Sequence, residues 1–139
     1  MSNIATTIEQ SKGLIRLGLD PKTADCTWNT TYGEWALCVG KNNLPHAVPA
    51  WSLEALLEVM PKYIMKDGVE CNIEFWTEGL AGSRWVIGYV GWSRQGQKHI
   101  KLVRTTFCKA VGQNLNTAAY EMVCCLLEQG LIKKGGDNA

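Results

Sequence analysis

The clearest pattern of apolar and polar positions lies near the C-terminal end of the chain. Apolar residues recur there at the i, i+3, i+4, i+7 and i+8 spacing of one helix face. They are Ala119, Met122, Val123, Leu126 and Leu127. Asn116 is a suitable N-cap for this helix, and Gly130 is a suitable terminator. The sequence therefore predicts a helix over 117–129.

Three segments that precede this helix predict strands. Residues 69–76 alternate apolar and polar side chains, as a half-buried strand does. Residues 84–92 are apolar on both faces, so we expect a central strand that is covered on both sides. Residues 99–107 are rich in β-branched side chains and follow a turn that contains Gly96. Together the three segments predict an antiparallel meander.

The first half of the chain predicts two more helices. One covers residues 4–17, where an apolar stripe runs along one side. The other begins after Ser52, a good N-cap, and ends at Pro61. Residues 22–48 leave two interpretations open, a hairpin around Gly33 or an irregular loop.

These elements define an α+β fold in a single domain of 139 residues. We expect a core over about 50–132, an N-terminal helix and an irregular region over 1–49, and a frayed tail over 133–139. The helices that begin at Ser52 and Thr117 should pack on one face of the meander. The other face needs a cover, either the N-terminal region or a second copy of the chain. Self-association is therefore an expected partnership.

The first residues of the chain and the length of its apolar runs predict where the protein is located. The first residues have neither the basic start nor the apolar stretch of a secretory signal. The longest apolar runs, such as residues 85–92, are far shorter than the roughly 20 residues that span a bilayer. We expect a cytoplasmic protein without a membrane partner. Its six cysteines are then expected to be structural thiols without bridge or metal.

Several stretches of the chain carry a resemblance to a known group. They are LGLDPKTAD, PAWSLEALLEVMP, an alternating pair of strands, and AAYEMVCCLLEQGLI. In this order they resemble a group of small uncharacterised proteins that are encoded by gut Bacteroides-type bacteria and their prophage-like elements. The resemblance implies a bacterial cytoplasm and a mobile-element origin. It implies no activity, cofactor or functional residue.

The sequence contains no recognisable catalytic, cofactor or metal motif. The glycines within 79–84 lack the lysine of a phosphate-binding loop and the spacing of a dinucleotide-binding loop. Cys26, Cys38 and His46 form the only loose cluster of metal-ligand types, without the spacing of a zinc site. We therefore expect no catalytic residue, no metal and no cofactor, and we favour a non-enzymatic protein over a small enzyme, the third and least supported function.

The charge distribution does depart from the average. No acidic residue lies between Glu78 and Glu121, so this stretch carries +6 and the rest of the chain −5. Its bases are Arg84, Arg94, Lys98, Lys101, Arg104 and Lys109. Aromatic residues, Trp92 among them, interleave with these bases, as in many proteins that bind single-stranded nucleic acid. The element order over 52–129 also resembles a double-stranded-RNA-binding domain, but NTAAYE replaces the lysines with which that family begins its last helix.

Two functions follow as expectations. The first is a non-enzymatic accessory or protein-interaction module, encoded by a phage or mobile element. The alternative is a nucleic-acid-binding domain that uses the basic hairpin over 84–109. The candidate binding residues, for nucleic acid or a protein partner, are Arg84, Trp92, Arg94, Lys98, Lys101 and Arg104. A third interpretation assigns no function to these bases, which would balance the acidic strand over 69–76 while the aromatics belong to the core.

Overall fold

The computed structural model describes residues 4–31, 33–40 and 46–135. Its helices are α1 (Ile8–Arg16), α2 (Leu53–Val59) and α3 (Leu115–Glu128). Its strands are β1 (Cys26–Thr31), β2 (Glu34–Val39), β3 (Val48–Ala50), β4 (Tyr63–Lys66), β5 (Val69–Glu78), β6 (Arg84–Gln95) and β7 (Lys101–Gly112). The strands form two antiparallel sheets, with the orders β2-β1-β3 and β4-β5-β6-β7. The mixed α+β class is confirmed.

The four-stranded sheet contains the predicted meander as β5, β6 and β7, and adds β4 at the edge of β5. The sequence did not predict β4, because only Ile64 of this short strand is buried. The last strand was predicted over 99–107 and runs over Lys101–Gly112. A β-bulge explains the difference: Tyr89 pairs with Cys108 and Val90 with Thr106, so Phe107 is an extra residue that interrupts the alternation.

Strand β6 lies between two neighbours, as predicted. Residues 86–91 are buried on both faces of the sheet. Burial was predicted for the whole of 84–92, and it does not extend to the tryptophans at the two ends: Trp85 is 37% exposed and Trp92 is 55% exposed. The two tryptophans flank the buried segment, and they lie on opposite faces because one has an odd and the other an even position in the strand.

Helix α3 packs on one face of this sheet, which we call the helix face, and α2 packs against α3 in the same core. Its core joins Ile87 and Tyr89 to Met122 of α3. The apolar face predicted for α3 is confirmed, since its last two leucines are fully buried. Asn114, and not Asn116, is the N-cap: its side chain accepts a hydrogen bond from the Thr117 N–H at 2.8 Å. The helix therefore begins two residues earlier than predicted.

The N-terminal helix is shorter than the predicted 4–17. Thr7 caps it through reciprocal hydrogen bonds with Gln10, and the residues before this cap run beside the chain at Trp51 and Ser52. Leu14 is buried and Ile15 is exposed, so the predicted apolar stripe was wrong in that part. Helix α1 contacts β3 and α3. The N-terminal region thus packs against the helix side of the molecule.

The small sheet resolves the two interpretations of residues 22–48 in favour of the hairpin, formed by β1 and β2. Strand β3 was not predicted, and it contains Pro49, which cannot donate to a strand ladder. The structure accommodates this proline because β3 is an edge strand that pairs only with β1. Residues 41–45 of this stretch lie outside the described residues.

Ile132, the last residue of the predicted core, is buried. In the predicted frayed tail over 133–139, the Gly135 N–H donates to the Gly18 carbonyl at 2.7 Å, so the start of the tail contacts the fold. The rest of this tail, residues 136–139, lies outside the described residues. Within the described part of the chain, no helix has both the length and the apolar character to cross a membrane.

Candidate functional site

The face of the four-stranded sheet opposite the helices, which we call the outer face, carries most of the candidate residues. Alternate residues of each strand point to it, and the strand pairing shows which ones. On β5 they run from Glu70 to Glu78, and on β6 from Arg84 to Arg94. On β7 they are Leu102, Arg104, Thr106, Lys109 and Val111. The outer face thus combines charged residues with a central apolar strip.

Long side chains of the sheet itself cover the centre of the outer face. The indole of Trp76 lies over Gly88, so closely that a Cβ at Gly88 would stand 2.7 Å from a ring carbon. The Arg104 guanidinium lies over the same indole, 4.9 Å from its centroid. Val86 and Val90 are 0% and 2% exposed as a result. The sequence expectation of a covering domain or partner therefore does not account for the burial of this strip.

At one end of the outer face the charges neutralise one another. The Glu78 carboxylate accepts hydrogen bonds from the Trp76 indole N–H at 2.8 Å and from Lys109 Nζ at 3.3 Å. These two bonds, the indole first, lower the pKa of Glu78, and Arg84 on the neighbouring strand acts in the same direction. The interpretation that the bases balance an acidic strand fits here. We call this end the base of the β6–β7 hairpin.

At the other end the hairpin extends beyond its neighbour. Strand β5 pairs with β6 only as far as Val90, whereas β6 and β7 remain paired as far as Gln95 and Lys101. We call residues 92–104, which include the tip of this two-stranded ribbon, the arm. It carries Arg94, Lys98, Lys101 and Arg104 and no acidic residue. Among the described residues the single ion pair is that of Lys109 with Glu78, so these four bases have no carboxylate partner there.

The arm brings together five of the six predicted binding residues. Trp92, Arg94 and Arg104 share its outer side, because Trp92 is paired with Arg104 and Arg94 follows Trp92 by two residues. Lys98 lies in the loop, and Lys101 lies on the opposite side, where it is paired with Gln95. Arg84 is separate, since ten residues of strand place it about 33 Å from Arg94 along β6.

The arm also exposes apolar side chains that the sequence analysis did not single out. Ile100 and Leu102 are each 66% exposed, in addition to Trp92. The signal for them was the alternation of apolar and basic residues in HIKLVR, which predicts a strand with one buried face. Among the described residues no third strand or helix supplies that cover, because the ribbon extends past β5.

The root of the arm is held tightly by the beginning of β5. A Cβ at Gly91 would stand 2.4 Å from the Glu70 carbonyl oxygen, so the two backbones meet closely at this point. Lys66 Nζ donates to the Thr106 carbonyl at 3.3 Å, which ties β4 to the far strand β7. The arm therefore projects from a closely packed support.

The other candidates for chemistry are not assembled into a site. Cys26 and Cys38 point to opposite faces of the small sheet, and His46 is exposed. Within the described ranges, no group of three or more histidine, cysteine or acidic side chains could hold a metal ion. All six cysteines are free thiols, and burial raises the pKa of Cys26 and of Cys108 to about 11. Such thiols stay protonated at neutral pH and are poor nucleophiles.

Comparison of the chain with protein-family models, with curated proteins and with solved structures finds no match.

Proposed function

We propose that the chain is a non-enzymatic binding module and that its arm binds single-stranded nucleic acid. The observation that carries this proposal is the arm itself. Its four bases lie on a projecting ribbon without a carboxylate, and the one ion pair among the described residues is at the base of the hairpin. Unneutralised bases on a protruding element attract phosphates and release their counterions, which is the main source of affinity for nucleic acids.

The outer side of the arm has the parts that single-strand binding requires. The half-exposed ring of Trp92 offers a stacking platform for a base. Arg94 and Arg104 flank this ring on the same side and can reach the phosphates next to a stacked base. Lys98 extends the positive surface to the tip. The arm has no carboxylate of its own, and Glu70, the first carboxylate of β5, lies at its root beside Gly91.

Double-stranded RNA is a poorer ligand for this fold. The family with a similar element order uses lysines at the start of its last helix, and the first turn of α3 has no charged residue. The exposed Ile100 and Leu102 favour a second candidate, a protein partner that covers the apolar side chains of the arm. An origin in a phage or mobile element, as the resemblance implies, is compatible with either candidate.

A salt titration of fluorescent single-stranded oligonucleotide binding tests the proposal. We compare the wild type with a variant that combines Arg94→Ala and Lys98→Ala. Each lost phosphate contact should reduce the slope of log affinity against log salt by about 0.7, so the double variant should lose roughly 1.4. Trp92→Ala should cost about 1–3 kcal/mol of binding with little change in this slope.

The matched control combines Lys12→Ala and Lys133→Ala, which removes the same net charge from exposed positions outside the arm. It should bind like the wild type. Absence of binding at about 50 mM salt would contradict the proposal, since electrostatic binding is strong there. An equal loss in the control would show that net charge, and not the arm, attracts the oligonucleotide. Binding of a protein that Ile100→Ser and Leu102→Ser abolish would favour the second candidate.

A further inference from the structure

The outer face is divided lengthwise into two halves of opposite charge. The half formed by β4 and β5 presents Glu70, Glu74 and Glu78 and no base. The half formed by β6 and β7 presents four bases and no acid. They are Arg84, Arg94, Arg104 and Lys109. The boundary between the halves runs parallel to the strands, so the charge changes sign across the sheet and not along it.

This division makes the face complementary to itself in one orientation. Two sheets that stack face to face as a symmetric dimer are related by a twofold axis that lies between them. An axis parallel to the strands places the acidic half of each copy on the basic half of the other. An axis perpendicular to the strands places acid on acid and base on base, which costs free energy. The charges therefore select the parallel axis.

The exposed apolar side chains of the same face suit an interface. Tyr63 and Met65 on β4 are each about half exposed, and neither belongs to the arm. Tyrosine, methionine and arginine are among the residue types enriched where proteins contact one another. The centre of the face is covered by the Trp76 indole, which lies over Gly88 and under the Arg104 guanidinium. A second sheet would thus meet a flat layer with apolar side chains at its margins.

We propose that two copies of the chain pair through their outer faces about a twofold axis parallel to the strands. Such an axis preserves the direction along the strands, so both arms project from the same end of the dimer. If the arm binds nucleic acid, as proposed above, the pair forms a two-pronged basic surface that one strand can contact twice. Linked sites of this kind raise the overall affinity by about 10²–10⁴-fold.

Sedimentation equilibrium of single and mixed variants tests the pairing. Glu74 and Lys109 both lie beside Gly88, in the same row of the sheet, on opposite sides of β6. In the proposed dimer each faces the other residue's half of the partner copy. Glu74→Lys alone and Lys109→Glu alone therefore place like charges together, and each variant should be a monomer. An equimolar mixture should form a heterodimer, because each of its two contacts again joins opposite charges.

A charge reversal away from the outer face serves as the control. Glu58→Lys changes an exposed residue of α2 and should leave the wild-type dimer intact. A dimer with a micromolar dissociation constant would be mostly formed at about 100 μM, so a wild-type chain that stays monomeric at this concentration overturns the pairing. So does a dimer that survives both single reversals. A monomer that binds oligonucleotide through its arm retains the proposed function, whereas a dimer without oligonucleotide binding retains only the pairing.

Discussion

The two ends of the β6–β7 hairpin contain similar types of residue in different environments. Both ends carry bases and apolar side chains on the same two strands. At the base, β5 runs alongside and supplies Glu78, which binds Lys109 at 3.3 Å. In the arm no third strand is paired with the ribbon, and its bases have no carboxylate partner among the described residues. The comparison shows that the reach of a neighbouring strand decides whether a basic residue balances charge or remains available to a ligand.

Apolar residues show the same contrast. Val86 and Ile87 near the base are fully buried, whereas Ile100 and Leu102 in the arm are mostly exposed. A two-stranded ribbon is at best marginally stable by itself in water. The arm must therefore derive its order from its root, through the close contact at Gly91 and the hydrogen bond from Lys66 to β7.

The largest effect is expected from breaking the root of the arm with Gly91→Val. The added side chain would overlap the Glu70 carbonyl, so β5 must shift away from β6. Overpacking of this kind costs about 1–3 kcal/mol or more of the free energy of unfolding. Urea denaturation followed by tryptophan fluorescence measures it. Gln95→Ala, in the exposed part of the arm, should change stability by less than about 0.5 kcal/mol. Equal effects of the two substitutions would show that the root does not support the arm.

A smaller effect should distinguish two arginines of the arm. Arg104→Ala removes the guanidinium that lies on Trp76, and should cost about 0.5–1 kcal/mol of stability. Arg94 makes no such contact with Trp76, so Arg94→Ala should leave the unfolding midpoint almost unchanged. Both substitutions should weaken oligonucleotide binding. If Arg94→Ala destabilises the fold as much as Arg104→Ala does, the ring contact contributes nothing specific.

The smallest effect concerns the pH dependence of the stability that Glu78 contributes at the base of the β6–β7 hairpin. Because the pKa of Glu78 is lowered in the folded chain from its ordinary 4.5, the ionised carboxylate stabilises the fold above that value. This stabilisation disappears as the pH falls through the lowered pKa. Glu78→Gln should therefore have a lower urea midpoint than the wild type at neutral pH, and the difference should shrink as the pH falls below 4.5 and through the lowered pKa. A difference that persists in acid would contradict the assignment to ionised Glu78.

Much of the fold could be predicted because its longest elements bury one continuous face. Strand β5 can be recognised from its alternating apolar and polar residues, and α3 from the helical spacing of its apolar residues. The short edge strands β3 and β4 could not be predicted, since Pro49 argues against a strand and Ile64 is the one buried residue of β4. Their pairing depends on partners that are distant in sequence.

The sequence was sufficient to identify the residues of the candidate site, but not to show how they are arranged in space. The run of bases without acids identified the residues of the arm. What separates Arg84 and Lys109 from the arm is the length of β5 beside them, which no local pattern contains. The extra residue at Phe107 further hid the true extent of β7.

The contact between Trp76 and Gly88 also constrains how the sequence can change in evolution. Any side chain at position 88 would meet the indole, so glycine there should persist for as long as position 76 holds a tryptophan. Replacement of the tryptophan by a small residue would release most of that restriction, leaving the Cys108 carbonyl 3.3 Å from a Cβ, and would expose Val86 and Val90 together. In distant relatives of this chain, positions 76 and 88 should therefore change jointly, and a pair of this kind would identify the sheet even where the surrounding surface has diverged.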